Sequence, residues 1–325
     1  MDAWLIALIS ALGAIGLVIL ISYITYRIVF FSDRGRQNDP YLKKVMESYA
    51  EYGDSFKDLI ENLEKAPSER VYISSHDGLR LSARYYHVKD GAPLHILFHG
   101  YRSRAEFDMS GAAYECMSLG HNVLLVDQRA HGLSEGKSIS FGIKERLDLA
   151  AWCSFATERF GGEVKIFIWG VSMGAATVLM SLDLPLGRNV LAAVADCPYS
   201  SPKEIIRRVG KKIHLPVSLL FPFLKLGAQL FGGFRLGAAS AEKSILSAKI
   251  PVLLIHGEAD TYVPCEMSEK VARLAKSVGV DLRFSKFENA PHAMSYLENS
   301  QEYGNTVRQF INEILERNDK CTSLK

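Results

Sequence analysis

The sequence predicts an α/β architecture, a mostly parallel sheet covered by helices on both faces, with a helical insertion and an N-terminal membrane-spanning helix. Three observations lead there. From residue 71 onward a β-hairpin pattern gives way to short β-branched runs alternating with longer amphipathic segments, which is how parallel strands joined by crossover helices read. One of those strand-to-helix junctions carries Ser172 between Gly170 and Gly174. Ahead of them, residues 3–26 contain no Lys, Arg, Asp or Glu and are dominated by Leu, Ile, Val and Ala.

The apolar N-terminus comes first in chain order. At ~1.5 Å per residue, ~20 such residues cross a bilayer core of ~30 Å. A cleaved signal peptide is the alternative, but the leader lacks a basic start and its apolar run exceeds the usual ~7–15 residues. Residues 1–31 therefore read as a retained single-pass anchor. The basic residues Arg27, Arg34, Arg36, Lys43 and Lys44 lie at or beyond its far end, while Met1-Asp2-Ala3 has none, so the bulk of the chain is expected on the cytoplasmic side. Residues 32–68 form an amphipathic linker: Leu42, Val45, Met46, Tyr49, Phe56, Leu59, Ile60 and Leu63 recur mostly three or four apart, with a break near Gly53. No candidate site residue lies in residues 1–31, so their removal is expected to leave a soluble, active domain.

Residues 69–325 hold the α/β domain. The hairpin covers 71–73 and 79–88 around an Asp77-Gly78 turn. Strands follow at 94–98, 122–127, 164–169, 191–195, 252–256 and 282–287. Helices are expected at 106–119, 143–160, after Gly174, 266–278 and 297–315. Five scattered cysteines, Cys116, Cys153, Cys197, Cys265 and Cys321, contain no Cys-x-x-Cys pair. They read as reduced thiols, neither a disulfide framework nor a zinc site. A formal net charge of +2 and the lack of a basic, aromatic-interleaved motif give no sign of a nucleic-acid partner.

The chemistry centres on Ser172. A serine at a tight strand-to-helix turn needs backbone room on both sides, which Gly170 and Gly174 supply, and the new helix aims its free N–H groups at developing negative charge. A serine nucleophile requires a base, and the base an orienting acid. Strand 252–256 runs into Gly257-Glu258-Ala259-Asp260, and strand 282–287 into a loop ending Pro291-His292. The order Ser172, Asp260, His292 is the one this topology expects, with Glu258 the rival acid. Backbone N–H groups of Met173 and of Tyr101, which follows strand 94–98, are the candidate oxyanion donors.

With these residues in place, the chain resembles the α/β-hydrolase superfamily of serine hydrolases. The likeness is to its monoglyceride lipase, lysophospholipase and bacterial esterase branch, the prolyl-aminopeptidase-like hydrolases. It is carried by His99-Gly100, by Asp127-Gln128-Arg129-Ala130-His131-Gly132-Leu133-Ser134, by Gly170 to Gly174, by Gly257-x-x-Asp260-x-x-Val263-Pro264 and by Pro291-His292. The resemblance implies an α/β-hydrolase fold and makes the stretch around His131 a structural loop. It also implies that residues 199–248 form a cap over the pocket. That segment carries Lys203, Arg207, Arg208, Lys211, Lys212 and His214 against Glu204, then an apolar run. It reads either as a lid with a solvated charged face, or as one that lies on anionic headgroups and admits acyl chains.

The expected activity is cleavage of carboxylic esters (acylglycerols, lysophospholipids or small acyl esters) through an acyl-enzyme. No metal or organic cofactor is expected. The same residues would also serve a peptidase, an amidase or an acyltransferase. A non-enzymatic binding protein on this fold is disfavoured, since all three catalytic positions are filled.

Overall fold

The computed structural model describes residues 2–32 and 53–323. The first part of the expected amphipathic linker, with Leu42, Val45, Met46 and Tyr49, and the basic residues Arg34, Arg36, Lys43 and Lys44 lie outside the described residues. A 27-residue helix α1 (Ala3–Val29) precedes α2 (Gly53–Lys65). The hairpin β1 (Glu69–Ser74) and β2 (Arg80–Tyr86) leads to β3 (Leu94–Phe98), α3 (Ala105–Asp108), α4 (Ser110–Ser118) and β4 (Asn122–Asp127). Next come α5 (Glu145–Phe160), β5 (Ile166–Val171), α6 (Met173–Ser181) and β6 (Val190–Asp196). The cap helices α7 (Pro202–Lys212) and α8 (Val217–Leu230) follow, then α9 (Ala241–Ser244). The chain closes with β7 (Val252–Gly257), α10 (Cys265–Ser277), β8 (Leu282–Phe287), α11 (Ser295–Glu298) and α12 (Ser300–Ser323).

The eight strands lie in the order β1-β2-β4-β3-β5-β6-β7-β8, with β2 antiparallel to both neighbours and the remaining pairs parallel. Alternation along β5 explains why its sequence is a continuous apolar run. Ile166 and Ile168 face one buried layer with Trp152 and Leu179, whereas Phe167, Trp169 and Val171 face the other with Tyr303 and Phe310. From β3 the chain runs outward to β4, then returns to place β5 on the opposite side of β3. That reversal leaves a crevice at the carboxyl ends of β3 and β5, the usual ligand position in such sheets, and Ser172 sits there.

Two expected helices are broken. Residues 106–119 divide at Met109, where the Asp108 carboxylate turns back to accept from the Gly100 N–H at 2.6 Å and the Ser103 hydroxyl at 2.6 Å. Residues 297–315 divide at Asn299, whose Oδ1 accepts the Glu302 N–H at 3.1 Å and so caps the N-terminus of α12.

The C-terminal end of α1 is packed on the domain. Tyr26 and Phe30 are buried, and the Phe30 ring lies 5.8 Å from that of Phe141 and 5.2 Å from that of Phe234. A β-bridge joins Phe31 to Ser138, and the Ile139 N–H donates to the Phe30 carbonyl at 2.7 Å. Helix α8 crosses α1 closely enough that a Cβ on Gly227 would lie 2.2 Å from the Ser22 carbonyl oxygen. The apolar code of a lipid-facing helix and of a helix docked on a protein surface is the same, so composition alone could not separate the two halves of α1.

Candidate active site

The turn between β5 and α6 puts Ser172 at φ 53°, a left-handed conformation that a serine adopts only where the surroundings enforce it. Its N–H donates to the Asp196 carbonyl at 2.8 Å, which ties the turn to the end of β6. The flanking glycines are sterically required: a Cβ on Gly170 would lie 2.3 Å from Gly174 C, and one on Gly174 would lie 1.9 Å from the Phe98 carbonyl oxygen.

His292 and Asp260 converge on this serine from the ends of β8 and β7. His292 Nε2 is 2.9 Å from Ser172 Oγ, and His292 Nδ1 is 2.6 Å from Asp260 Oδ2. Asp260 Oδ1 accepts the N–H groups of Tyr262 and Val263, each at 2.8 Å, so the carboxylate is held by its own loop. With Nδ1–H donated to Asp260, Nε2 is left as the acceptor for the serine hydroxyl. Glu258, the rival acid, is exposed and lies 3.8 Å from the Lys286 ammonium, turned away from His292.

Electrostatics follow from this geometry. Burial alone would lower the His292 pKa, but the Asp260 charge and hydrogen bond, with Asp196 and Asp108 farther off, outweigh it and hold the imidazole above its ordinary value. Burial likewise favours a neutral Asp260, and the combined charge and hydrogen bonds of His292 and His256 reverse it, leaving the carboxyl well below the usual range. Burial pushes Asp196 up to about 6, although the Tyr303 hydroxyl donates to its Oδ2 at 2.9 Å.

Met173 opens α6, where the first N–H groups have no partner inside the helix. Tyr101 lies on the loop after β3, and that loop is close to Ser172: a Cβ on Gly100 would fall 3.5 Å from Ser172 Cβ. Two histidines keep the loop in shape. His99 accepts the Gln128 N–H at 3.1 Å on Nε2 and faces the Gly100 carbonyl through Nδ1 at 2.8 Å. His131 accepts the Arg102 N–H at 3.0 Å on Nε2 and faces the Arg129 carbonyl through Nδ1 at 2.9 Å. Both ring nitrogens of each are occupied, and burial pushes His99 down to about 4 and His131 down to about 3. Asp108, which holds Gly100 and Ser103, and His256, 3.3 Å from Asp260 Oδ2, carried no motif that pointed to them in the sequence.

Among the described residues, two groups of side chains have metal-ligand spacing. Cys197, Asp260 and His292 lie together, but Asp260 and His292 are bound to each other and burial holds the Cys197 thiol protonated, well above its ordinary pKa. In the group of His76, Asp77 and Asp148 the cation is already present. The Arg129 guanidinium donates to Asp148 at 2.6 Å and to Asp77 at 2.9 Å.

In front of Ser172 opens a cavity of about 510 Å³ with a mainly apolar lining from α1, α7, α8 and the loops around Tyr101, Phe141, Tyr199 and Tyr262, with Arg102 also at its wall. Residues 93–231 match the serine aminopeptidase (S33) family, and residues 233–318 match the prolyl oligopeptidase family. Among individual proteins, YqkD of Bacillus subtilis is 28% identical over 95% of this chain and 95% of its own length. The lysophosphatidylserine lipase ABHD12 of Danio rerio is 27% identical over 67% of this chain and 58% of its own. Among solved structures, the esterase Pf2001 of Pyrococcus furiosus superposes with a TM-score of 0.62 and 28% identity, covering 80% of this chain and 92% of the esterase.

Proposed function

We propose that this chain, an α/β hydrolase of esterase or lipase type by its likenesses, is a membrane-anchored serine esterase whose substrate is a lipid carboxylic ester. The observation that carries the reading is the line Ser172, His292, Asp260 opening directly into an apolar cavity walled in part by α1. His292 takes the proton of the Ser172 hydroxyl as Oγ attacks the ester carbonyl carbon. The tetrahedral oxyanion is held by the N–H groups of Met173 and Tyr101, and Asp260 stabilises the imidazolium. His292 then gives its proton to the departing alkoxide, leaving an acyl-Ser172. Water, activated by the same imidazole, releases the carboxylic acid and returns the proton to Ser172.

Both matched families have peptidase names, yet an aminopeptidase needs a carboxylate to receive the substrate ammonium. Among the described residues lining the cavity there is no Asp or Glu, whereas Ile, Leu, Val and Phe abound. That lining favours acyl chains. A 27-residue α1 with an apolar, exposed surface and Arg27 at its domain-side end supports a single-pass anchor with the domain on the cytoplasmic face. Arg208 and Lys211, exposed on α7, are in place to meet anionic headgroups.

The test is a fluorophosphonate probe and a panel of p-nitrophenyl esters, applied to the full chain in detergent. The parent protein labels and hydrolyses, and Ser172→Ala does neither. Labelling of Ser172→Ala to the parental extent, or esterase activity within tenfold of the parent, would overturn the assignment. Faster turnover of aminoacyl p-nitroanilides than of any ester would move it to a peptidase.

A further inference from the structure

The anchor helix does more than reach the domain. Its last two turns line the cavity in front of Ser172: Ile21, Ile24, Ile28 and Val29 stand across from Val209 and Leu220 of the cap helices. This wall is fixed in register. The Tyr101 hydroxyl donates to the Val29 carbonyl at 2.7 Å, and the Arg102 guanidinium donates to the carbonyls of Ile28 at 2.8 Å and Phe31 at 3.1 Å. Side chains of the oxyanion loop thus satisfy the orphan carbonyls at the C-terminus of α1, so the helix end and the catalytic loop are one rigid piece.

The depth of this wall relative to a bilayer follows from helix geometry. Residues 3–20 of α1, apolar and almost all exposed, are the part clear of the domain. At ~1.5 Å per residue they span roughly 27 Å, close to the ~30 Å of a hydrocarbon core. Ile21 through Val29 then emerge at the headgroup boundary, where Tyr23 receives a hydrogen bond from Arg27 at 3.0 Å, a pairing suited to that layer. Ile24 and Ile28 belong to the cavity lining and are nevertheless exposed, so the cavity is open along the anchor. Exposed Ile213, Leu215 and Leu219 of the cap extend the apolar surface beside the same opening.

Building on the ester-hydrolase reading, we propose that the end of the anchor helix is one wall of the acyl-chain subsite, and that the scissile lipid slides into it sideways from the bilayer leaflet without passing through water. The occupant is one acyl chain of a bilayer lipid. Its carboxyl end lies at Ser172 and its chain runs along Ile28 and Ile24 toward the hydrocarbon. The anchor supplies both the place and the shape of the substrate.

The experiment uses the full chain in vesicles of neutral phospholipid. Ile24→Trp and Ile28→Trp narrow the channel, and the readout is the ratio of kcat/KM for a long-chain to that for an acetyl p-nitrophenyl ester. That ratio falls about tenfold, the equivalent of losing roughly two methylene contacts, whereas Ile9→Trp, on the lipid-facing stretch, leaves both rates at the parental value. Equal loss on both esters, or an unchanged ratio, would overturn the proposal. A second arm needs no turnover: a phospholipid with a diazirine in its acyl chain is photolysed with Ser172→Ala in the same vesicles. Label on Ile205 or Ile206, buried at the back of the cavity, supports access from the leaflet. Label confined to residues 3–20 refutes it, whether or not the protein proves to be an esterase.

Discussion

Gly174→Ala tests the link between local sterics and catalysis at its tightest point. The added methyl would sit 1.9 Å from the Phe98 carbonyl oxygen, 2.5 Å from its carbon and 2.7 Å from the His99 carbonyl oxygen. All three are backbone atoms at the end of β3, so no rotamer change relieves the overlap, and the start of α6 must move away by about 1 Å. That movement separates Met173 from the β3 loop that carries Tyr101 and pulls Ser172 off its line with His292. A misplacement of ~1 Å costs about 100-fold in rate, and a lost oxyanion donor costs ~10²–10³-fold. We therefore expect kcat on a short p-nitrophenyl ester to fall ~100- to 1,000-fold with KM little changed, because the apolar cavity is untouched. Overpacking should also cost ~1–3 kcal/mol, or roughly 2–4 °C in Tm per kcal/mol. Gly162→Ala is the control, with nothing within 4 Å of its added Cβ, and should be silent in both assays. If Gly174→Ala kept kcat within threefold and an unchanged Tm, the turn would not be as rigid as argued and the oxyanion assignment would lose its geometric basis.

Three further outcomes are expected. Asp260→Asn should reduce kcat by about 10⁴-fold, since the imidazole loses both orientation and countercharge, while Glu258→Gln should stay within twofold; the reverse result would make Glu258 the acid. The acid limb of kcat/KM should have its midpoint above 6.5, because His292 must be neutral to act as base and its pKa is raised; activity is lost as pH falls through that value. In Asp260→Asn the main counterweight to burial is gone and only the more distant Asp196 and Asp108 still oppose it, so the limb should move to lower pH, and a parental profile that stays flat down to pH 5 would contradict the assignment. Phe30→Ala should destabilise the domain by ~3–5 kcal/mol, and deletion of residues 1–31 should give aggregated, inactive protein; a soluble, fully active deletion product would show the anchor to be a mere tether.

Much of the architecture follows from local rules that the chain itself carries. Strands buried on both faces are largely apolar, so β4 (Asn122–Asp127), with residues 123–126 apolar at its centre, and β3 (Leu94–Phe98), interrupted by the buried His95 alone, are legible. The Gly170-x-Ser172-x-Gly174 turn is legible because two backbones approach there, and only glycine permits that. Asp260 and His292 are legible because strand ends in this topology point at one crevice. What the sequence could not determine are contacts whose partners are far apart in the chain and have ordinary chemistry. Asp108 breaks a helix to hold Gly100, and His256 braces Asp260, through side chains that no spacing rule singles out. The double role of α1 is the clearest case. Ile6 and Ile28 look alike in a hydropathy profile and both are exposed, yet Ile28 alone of the two also borders the cavity of Ser172. Burial of apolar surface is non-directional, so the sequence states that such residues leave water. Only the tertiary structure decides which of them pack against the cap or border the cavity, and which stay on the surface.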